Sequence, residues 1–282
     1  MENLLQIKKT EINIGLDREY KLFQISDAHM ACVDENSSML DISENKRSRE
    51  KWNELKVEFA NESGELCDER YDMEASELFE LLTRHALDIG ADALILSGDM
   101  FDRVSDSNVR YMEHFLANYP IPVIYCPGNH DWMNEKGEHL NQYDRLTGIS
   151  TSLAADSWDF GEFEIVAIDN GEKKITDYQI SYIKNKLEGN KKIILVVHAP
   201  LNIGKFGSRM EKEKSPYFLM GVEGDCENCF KFNKLISENS NKLIAVLAGH
   251  VHCFYEDSIC EDLNQYTTSS ALIGAGREII IK

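Results

Sequence analysis

Short apolar runs and helical stripes alternate along the chain. Each run is rich in β-branched residues, is bounded by polar or turn residues, and predicts a strand buried on both faces of a sheet. The five clearest runs are Tyr20–Ile25, Asp92–Leu96, Ile121–Tyr125, Ile193–Val197 and Leu243–Leu247. Glu162–Ile168, which partly alternates, and Glu278–Ile281 predict two more strands.

Helical patterns fall between these strands, and two of them begin at residues that can act as an N-cap, Asp72 and Thr176. The apolar stripes are Leu78, Leu82 and Ile89 after Asp72, and Ile180, Ile183 and Leu187 after Thr176. Alternating strands and helices predict an α/β fold with a layered core. With no repeat or Pro-rich linker, residues 1–282 are interpreted as a single domain.

One acidic segment interrupts this alternation. Between Asp34 and Glu80 there are fifteen Asp or Glu residues against six Lys or Arg. Trp52, Leu55 and Phe59 form an apolar stripe inside it, which predicts an amphipathic helix. We interpret residues 32–71 as an acidic helical insertion, either a solvated surface helix or a cap over an active site.

Polar residues with metal-binding side chains follow all five of the clearest strands. The strand-end sequences are Ser26-Asp27-Ala28-His29, Gly98-Asp99-Met100-Phe101-Asp102, Gly128-Asn129-His130-Asp131, the lone His198, and Gly249-His250-Val251-His252. Five of the eight histidines lie at these ends. Because open α/β sheets bind ligands outside the carboxyl ends of their strands, we expect one polar cluster there.

In this order the five blocks strongly resemble the signature of the calcineurin-like metallophosphoesterase superfamily. That signature is Asp-x-His, Gly-Asp-x-x-Asp, Gly-Asn-His-Asp/Glu, a lone His, and Gly-His-x-His. All five blocks occur here without a substitution, between residues 27 and 252. The resemblance implies a four-layer α/β/β/α sandwich with two mixed β-sheets.

The resemblance also implies roles for the strand-end residues. The metal ligands would be Asp27, His29 and His252 for one ion, and Asn129, His198 and His250 for the other, with Asp99 bridging both. His130 would face the leaving group, Asp131 would orient His130, and Asp102 would tie down the loop after Asp99.

The ligand types agree with this interpretation. Imidazole, carboxylate and amide donors suit two divalent or trivalent transition-metal ions, with Mn, Fe or Zn the leading candidates. Two such ions about 3.5–4 Å apart clamp a phosphoryl group and supply hydroxide near neutral pH. We therefore predict a dinuclear phosphoesterase in which His130 assists the leaving group as a general acid.

Charge and local sequence narrow the substrate to a small phosphodiester or phosphomonoester. A net charge of −19 disfavours long nucleic acid and anionic membranes as partners. Protein phosphatases of the superfamily carry Arg before Gly-Asn-His-Glu, whereas Cys126-Pro127 stand here. The alternatives are a nuclease, a protein phosphatase, or a non-catalytic metal-binding scaffold, which the intact blocks disfavour. Nothing in the pattern indicates an oligomeric state.

Seven cysteines cannot all pair, and free thiols in a reducing compartment are the simplest interpretation. Residues 1–9 show no secretory signal, and no apolar run approaches the roughly 18 residues of a membrane span. A cytoplasmic protein is therefore expected. Cys226-Glu-Asn-Cys229 has the spacing of half a zinc knuckle or of a redox pair, although ordinary solvated thiols are the simpler interpretation.

Overall fold

The computed structural model describes residues 4–63, 73–133 and 153–282, except for the side chains of residues 55 and 57–63. The strands are β1 (Gln6–Ile12), β2 (Tyr20–Ile25), β3 (Ala93–Leu96), β4 (Val123–Tyr125), β5 (Ala155–Asp159), β6 (Phe163–Ile168), β7 (Lys192–Val196), β8 (Leu243–Ala248), β9 (Tyr255–Cys260), β10 (Leu263–Thr267) and β11 (Ala275–Ile281). The helices are α1 (Met39–Ser63), α2 (Ala75–Asp88), α3 (Asp106–Asn118), α4 (Asp177–Leu187), α5 (Gly204–Glu213) and α6 (Glu227–Glu238).

These strands form two mixed sheets. The first has the order β1-β11-β2-β3-β4 and the second the order β5-β6-β7-β8-β10-β9. In the first sheet β2, β3 and β4 run parallel, and β11 is antiparallel to β2. In the second sheet β6, β7, β8 and β10 run parallel, while β5 and β9 lie antiparallel at its edges. Each sheet therefore brings the carboxyl ends of three parallel predicted strands to one edge. These strands are β2, β3 and β4 in the first sheet and β6, β7 and β8 in the second.

Three buried apolar clusters show how the layers pack. Leu22 and Ile95 of the first sheet pack with Ile165 and Val196 of the second, so this cluster lies between the sheets. A second cluster joins the first sheet to α2 and α3, and a third joins the second sheet to α4, α5 and α6. The result is a four-layer α/β/β/α sandwich with two mixed sheets, which confirms the predicted fold class.

Of the strands that the structure describes, the sequence located six of the seven that lie inside the sheets but only one of the four edge strands. All seven predicted strands are present, with shifts of up to three residues at their ends. The strands that it missed are β1, β5, β9 and β10. β1 and β9 lie at the sheet edges and carry exposed or half-buried polar residues, so their apolar patterns are weak.

Of the two predicted helix caps, Thr176 is confirmed. It caps α4 in a capping box with Gln179, and Ile183 and Leu187 of its stripe are buried. Glu74 caps α2, again in a capping box, whereas Asp72 lies outside the described residues. None of the described helices combines the length and the apolar character that crossing a membrane requires.

Candidate metal centre

The carboxyl ends of the central strands from the two sheets meet at one place. The Nε2 of Gln24 on β2 donates to the Ala248 carbonyl at the end of β8, at 3.0 Å. The Nδ1 of His198, after β7, lies 2.9 Å from the carbonyl of Ser97, after β3. Because a carbonyl only accepts, Nδ1 carries the proton and Nε2 is left to face the neighbouring side chains. Metal-binding histidines are commonly held in this way.

The first group of converging side chains is Asp27, His29 and His252. The Nε2 of His252 lies 3.1 Å from Oδ1 of Asp27 and 3.2 Å from Nε2 of His29. Asp27 and His29 are buried, and His252 is half-buried. One donor atom from each of the three lies within 4.8 Å of the others, so the group could hold a metal ion.

Asp99, His198 and His250 form the second group. The Nε2 of His198 lies 3.2 Å from Oδ2 of Asp99 and 3.1 Å from Nδ1 of His250. These three residues also offer donor atoms within 4.8 Å of one another. The side-chain oxygen of Asn129 is buried and has no hydrogen-bond partner among the described residues.

The two carboxylates are held alike. Oδ2 of Asp27 accepts the His250 amide at 2.9 Å, and Oδ1 of Asp99 accepts the His130 amide at 2.8 Å. In each aspartate the other oxygen faces imidazole nitrogens. Oδ2 of Asp99 is 3.9 Å from Nε2 of His29 as well as 3.2 Å from that of His198, so it approaches both groups.

These donors fit transition-metal ions. Imidazoles, carboxylates and an amide oxygen form the set that such ions prefer. A buried amide oxygen without a partner is costly, and coordination of a cation by Asn129 would remove that cost.

Backbone strain is concentrated at the same residues. The described residues include six non-glycine residues with positive φ. Five of these are predicted ligands: Asp27 (54°), His29 (46°), Asp99 (55°), His250 (69°) and His252 (52°). Such conformations cost on the order of 1–3 kcal/mol each and collect at functional sites. At Gly98 and Gly128, a Cβ would collide with the His198 ring and the Asp99 carboxylate, respectively.

Burial and neighbouring charges set the protonation of the cluster. Burial holds the pKa of His29 well below its usual value and lowers the pKa of His250 to about 3, so both rings are neutral at pH 7. Burial also acts on His198, but the Asp99 carboxylate outweighs it and raises the pKa of His198 to about 10. Burial raises the pKa of Asp27, but the nearby His252 outweighs burial and the net pKa lies below the usual value, so Asp27 stays ionised.

His130 lies beside Asp102 and is half-buried. Its Nδ1 is 2.8 Å from the Asp102 carbonyl and 3.5 Å from Asp102 Oδ1. The carboxylate of Asp102 accepts hydrogen bonds from Ser48 Oγ at 2.6 Å and Trp52 Nε1 at 2.8 Å, both on α1. Although burial raises the pKa of Asp102, the Ser48 hydrogen bond and the Lys51 charge hold it below its usual value.

Asp131 has partners other than the expected His130. Its two carboxylate oxygens accept the amides of Phe101 at 3.0 Å and Gly128 at 2.8 Å. Asp131 therefore ties the loop after Asp99 to the loop before Asn129. Burial raises the pKa of Asp131 to about 6. Asp131, which was expected to orient His130, thus holds the loop after Asp99. Asp102, which was expected to hold that loop, contacts His130 instead.

Helix α1, from the acidic segment, lies against the site. Trp52 is 6% exposed and stacks on the His29 ring, with 4.0 Å between ring centroids and 27° between planes. The predicted stripe is therefore directed toward the site at Trp52. The side chains of Leu55 and Phe59 lie outside the described part of the chain.

Asn170, which holds the backbone that follows β7, was not among the site residues predicted from the sequence. Its Oδ1 accepts the amides of His198 and Ala199, both at 2.9 Å. Asn170 is fully buried and follows β6, whose end meets the same edge of the sheet. The signal was available in Asp169-Asn170, a polar pair after a predicted strand, like those after the other five.

Comparison with known proteins shows the family of this chain. The model of the calcineurin-like phosphoesterase family matches residues 20–254. A Coxiella burnetii protein described as a probable cyclic nucleotide phosphodiesterase is 26% identical over 179 residues, which are 61% of this chain. The chain spans 64% of the length of that relative.

Two solved structures share the fold. A dimetal phosphatase from Danio rerio matches with a TM-score of 0.55 and 10% identity, covering 90% of this chain and 88% of that one. A purple acid phosphatase from yellow lupin matches with a TM-score of 0.50 and 13% identity, covering 93% of this chain and 45% of that one. At these identities the likeness concerns the fold.

We predict that Mn²⁺ stabilises the protein through Asp99. At a metal concentration about 100 times the Kd, binding to the folded state adds about 2.7 kcal/mol, and the melting temperature rises accordingly. Asp99→Asn removes a charge that approaches both groups and should lose most of this rise. Calorimetry with and without Mn²⁺ measures the effect.

The matched control is Asp262→Asn, at an exposed carboxylate in the β9–β10 turn, which should keep the full rise. An Mn²⁺-induced rise in Asp99→Asn equal to that of the wild type would contradict the assignment.

Proposed function

Because the chain belongs to the calcineurin-like phosphoesterase family, a family of metal-dependent phosphoric ester hydrolases, we propose that it hydrolyses a small phosphodiester at a dinuclear metal centre. One observation carries this proposal. Two groups of imidazole and carboxylate donors lie side by side, and Oδ2 of Asp99 approaches a histidine of each group.

The proposed ligands are those expected from the sequence. Asp27, His29 and His252 would hold one ion, Asn129, His198 and His250 would hold the other, and Asp99 would contribute to both. Bound Mn, Fe or Zn ions would supply Lewis-acid activation of the phosphoryl group and of water. The surrounding chain keeps the donors in place. Amides fix one oxygen of each aspartate, and the Ser97 carbonyl fixes the ring of His198.

His130 is the proposed general acid. The Asp102 carbonyl accepts the proton on Nδ1, so Nε2 is the ring atom available to protonate a leaving oxygen. His130 follows Asn129 directly and its amide donates to Asp99, but its ring belongs to neither of the two ligand groups.

Asp102 is proposed to orient His130 rather than bind metal. His29, Asp102 and His130 do offer donor atoms close enough for an ion. The carboxylate of Asp102, however, already accepts two hydrogen bonds from α1 and faces the Lys51 ammonium at 3.5 Å. A carboxylate so engaged is a weak ligand but a good partner for an imidazole that becomes charged. Asp131 is proposed to hold the two loops together.

The proposed substrate class is the cyclic nucleotide, a small phosphodiester. The named activity of the Coxiella relative supports this choice. The net charge of −19 disfavours long nucleic acid, whereas a small ester can be drawn by local cations. In the reaction, the oxygen of one water molecule bonds to phosphorus, one P–O ester bond breaks, and His130 protonates the leaving oxygen, which becomes a hydroxyl. The proton that the water gives up replaces the one lost by His130. A cytoplasmic location stays a prediction.

The proposal predicts hydrolysis of a cyclic nucleotide by Mn-loaded protein and none after chelation. Purified protein is assayed on cyclic nucleotides, on a nucleoside monophosphate and on single-stranded DNA, with product identified by chromatography. Turnover of the cyclic diester should exceed that of the monoester and of DNA. Preferential cleavage of either of the other two would contradict the proposed substrate class, and no hydrolysis of any ester would contradict an enzyme.

Replacing His130 should reduce chemistry without removing metal. In His130→Ala, turnover of a diester with a poor leaving group should fall by about 10²- to 10⁴-fold, the usual contribution of a general acid. A p-nitrophenyl ester should lose much less, because its leaving group needs little protonation. Elemental analysis should still find two metal ions per chain. Equal losses on the two substrates would remove the assignment.

Trp52 should act through Asp102. Trp52→Phe keeps an aromatic ring over His29 but removes the N–H that Asp102 accepts. A hydrogen bond to a charged group is worth about 1.5–3 kcal/mol. We expect turnover of the poor-leaving-group diester to fall by about tenfold or more, with metal content and KM unchanged.

The matched control for this variant is Trp158→Phe, on the edge strand β5. That variant should behave like the wild type. If Trp52→Phe loses metal, or loses activity equally on both leaving groups, Trp52 does not act through the Asp102–His130 pair.

A further inference from the structure

A pair of cysteines at the start of α6 stands outside the proposed metal centre. Cys226 is the N-cap residue of the helix and is exposed, whereas Cys229, in the first turn, is fully buried. Their sulfur atoms are 3.3 Å apart, in van der Waals contact or closer. Two thiols at this separation need only a small movement to form a bond.

The two thiols have different environments. Partial burial raises the pKa of Cys226, but the Ile175 amide and the Cys229 thiol outweigh it, and the net pKa lies below that of an ordinary thiol. Burial, together with the neighbouring Cys226, raises the pKa of Cys229 to about 12. An exposed sulfur with more thiolate beside a buried one with less is the arrangement of an attacking and a resolving thiol.

A zinc site does not account for the pair. A structural zinc ion takes four ligands, usually from two pairs of Cys or His. In residues 4–63, 73–133 and 153–282, the three groups able to hold a metal ion all lie at the strand ends, and none includes Cys226 or Cys229. Cys229 Sγ instead donates to the carbonyl of Lys173, at 3.1 Å.

This contact joins the pair to the loop after β6. Lys173 has a positive φ of 53°, and three residues earlier Asn170 holds the amide of His198. The dithiol therefore borders a short, strained loop that also supports a strand end of the metal centre.

We propose that Cys226 and Cys229 form a redox-active dithiol that closes to a disulfide by exchange with a low-molecular-weight disulfide. The Cys226 thiolate attacks one sulfur of the small disulfide, forms a mixed disulfide and releases one small thiol. Cys229 then loses its proton, attacks the Cys226 sulfur and releases the second small thiol. The protein loses two electrons and two protons, and the small disulfide is reduced to two thiols. This site is independent of the proposed phosphoesterase activity.

The test uses full-length protein equilibrated in glutathione buffers of increasing oxidised fraction, then alkylated and mapped by mass spectrometry. We expect a Cys226–Cys229 disulfide to appear as the oxidised fraction rises and to reopen on reduction. In the reduced protein, iodoacetamide at pH 7 should modify Cys226 at least about tenfold faster than Cys229, because only the thiolate reacts. In Cys229→Ser, the mixed disulfide of Cys226 with glutathione should accumulate.

Cys260→Ser, at a half-buried cysteine on β9, is the matched control and should leave the disulfide unchanged. Three results would overturn the proposal. In the first, both thiols stay reduced throughout the buffer series. In the second, the wild-type protein ends as the mixed disulfide at Cys226. In the third, zinc binds in an amount equal to the chain and is lost in Cys226→Ser.

Discussion

Two carboxylates buried close together, Asp27 and Asp99, are the constraint on which the site depends. Removing an ion from water costs several kcal/mol even after relaxation, and two like charges add repulsion. The fold offsets this with an amide to one oxygen of each aspartate and imidazoles to the other. Cations bound between the two aspartates would offset the remainder. The same requirement explains the strained backbone, since donors aimed inward from five strand ends need turns that ordinary loops do not provide.

The acidic segment is connected to this constraint through α1. Ser48 and Trp52 donate to Asp102, which in turn lies against His130. The negative charge of the segment as a whole does not oppose these contacts, because what Asp102 receives from α1 are N–H and O–H donors and the Lys51 ammonium. The cap hypothesis therefore gains a specific form, in which α1 covers His29 and positions the proposed general acid.

The loop after β6 carries two kinds of contact in a few residues. Asn170 fixes His198 from behind, and Lys173 accepts the Cys229 thiol. The proposed dithiol and the proposed metal centre thus share one support, although each assignment rests on its own geometry.

The sequence by itself determined the layered α/β fold and the set of strand-end donors, because buried strands are continuous apolar runs and polar residues after them stand out. It could not show that strand ends from two different sheets meet, as Ser97 and His198 do, since that depends on how the sheets pack. Nor could it distinguish the partners of Asp102 from those of Asp131. Loop conformation decides which carboxylate reaches His130, and α1 reaches Asp102 from 54 residues away in the chain. Such contacts carry no periodic signal, and only the tertiary structure brings them together.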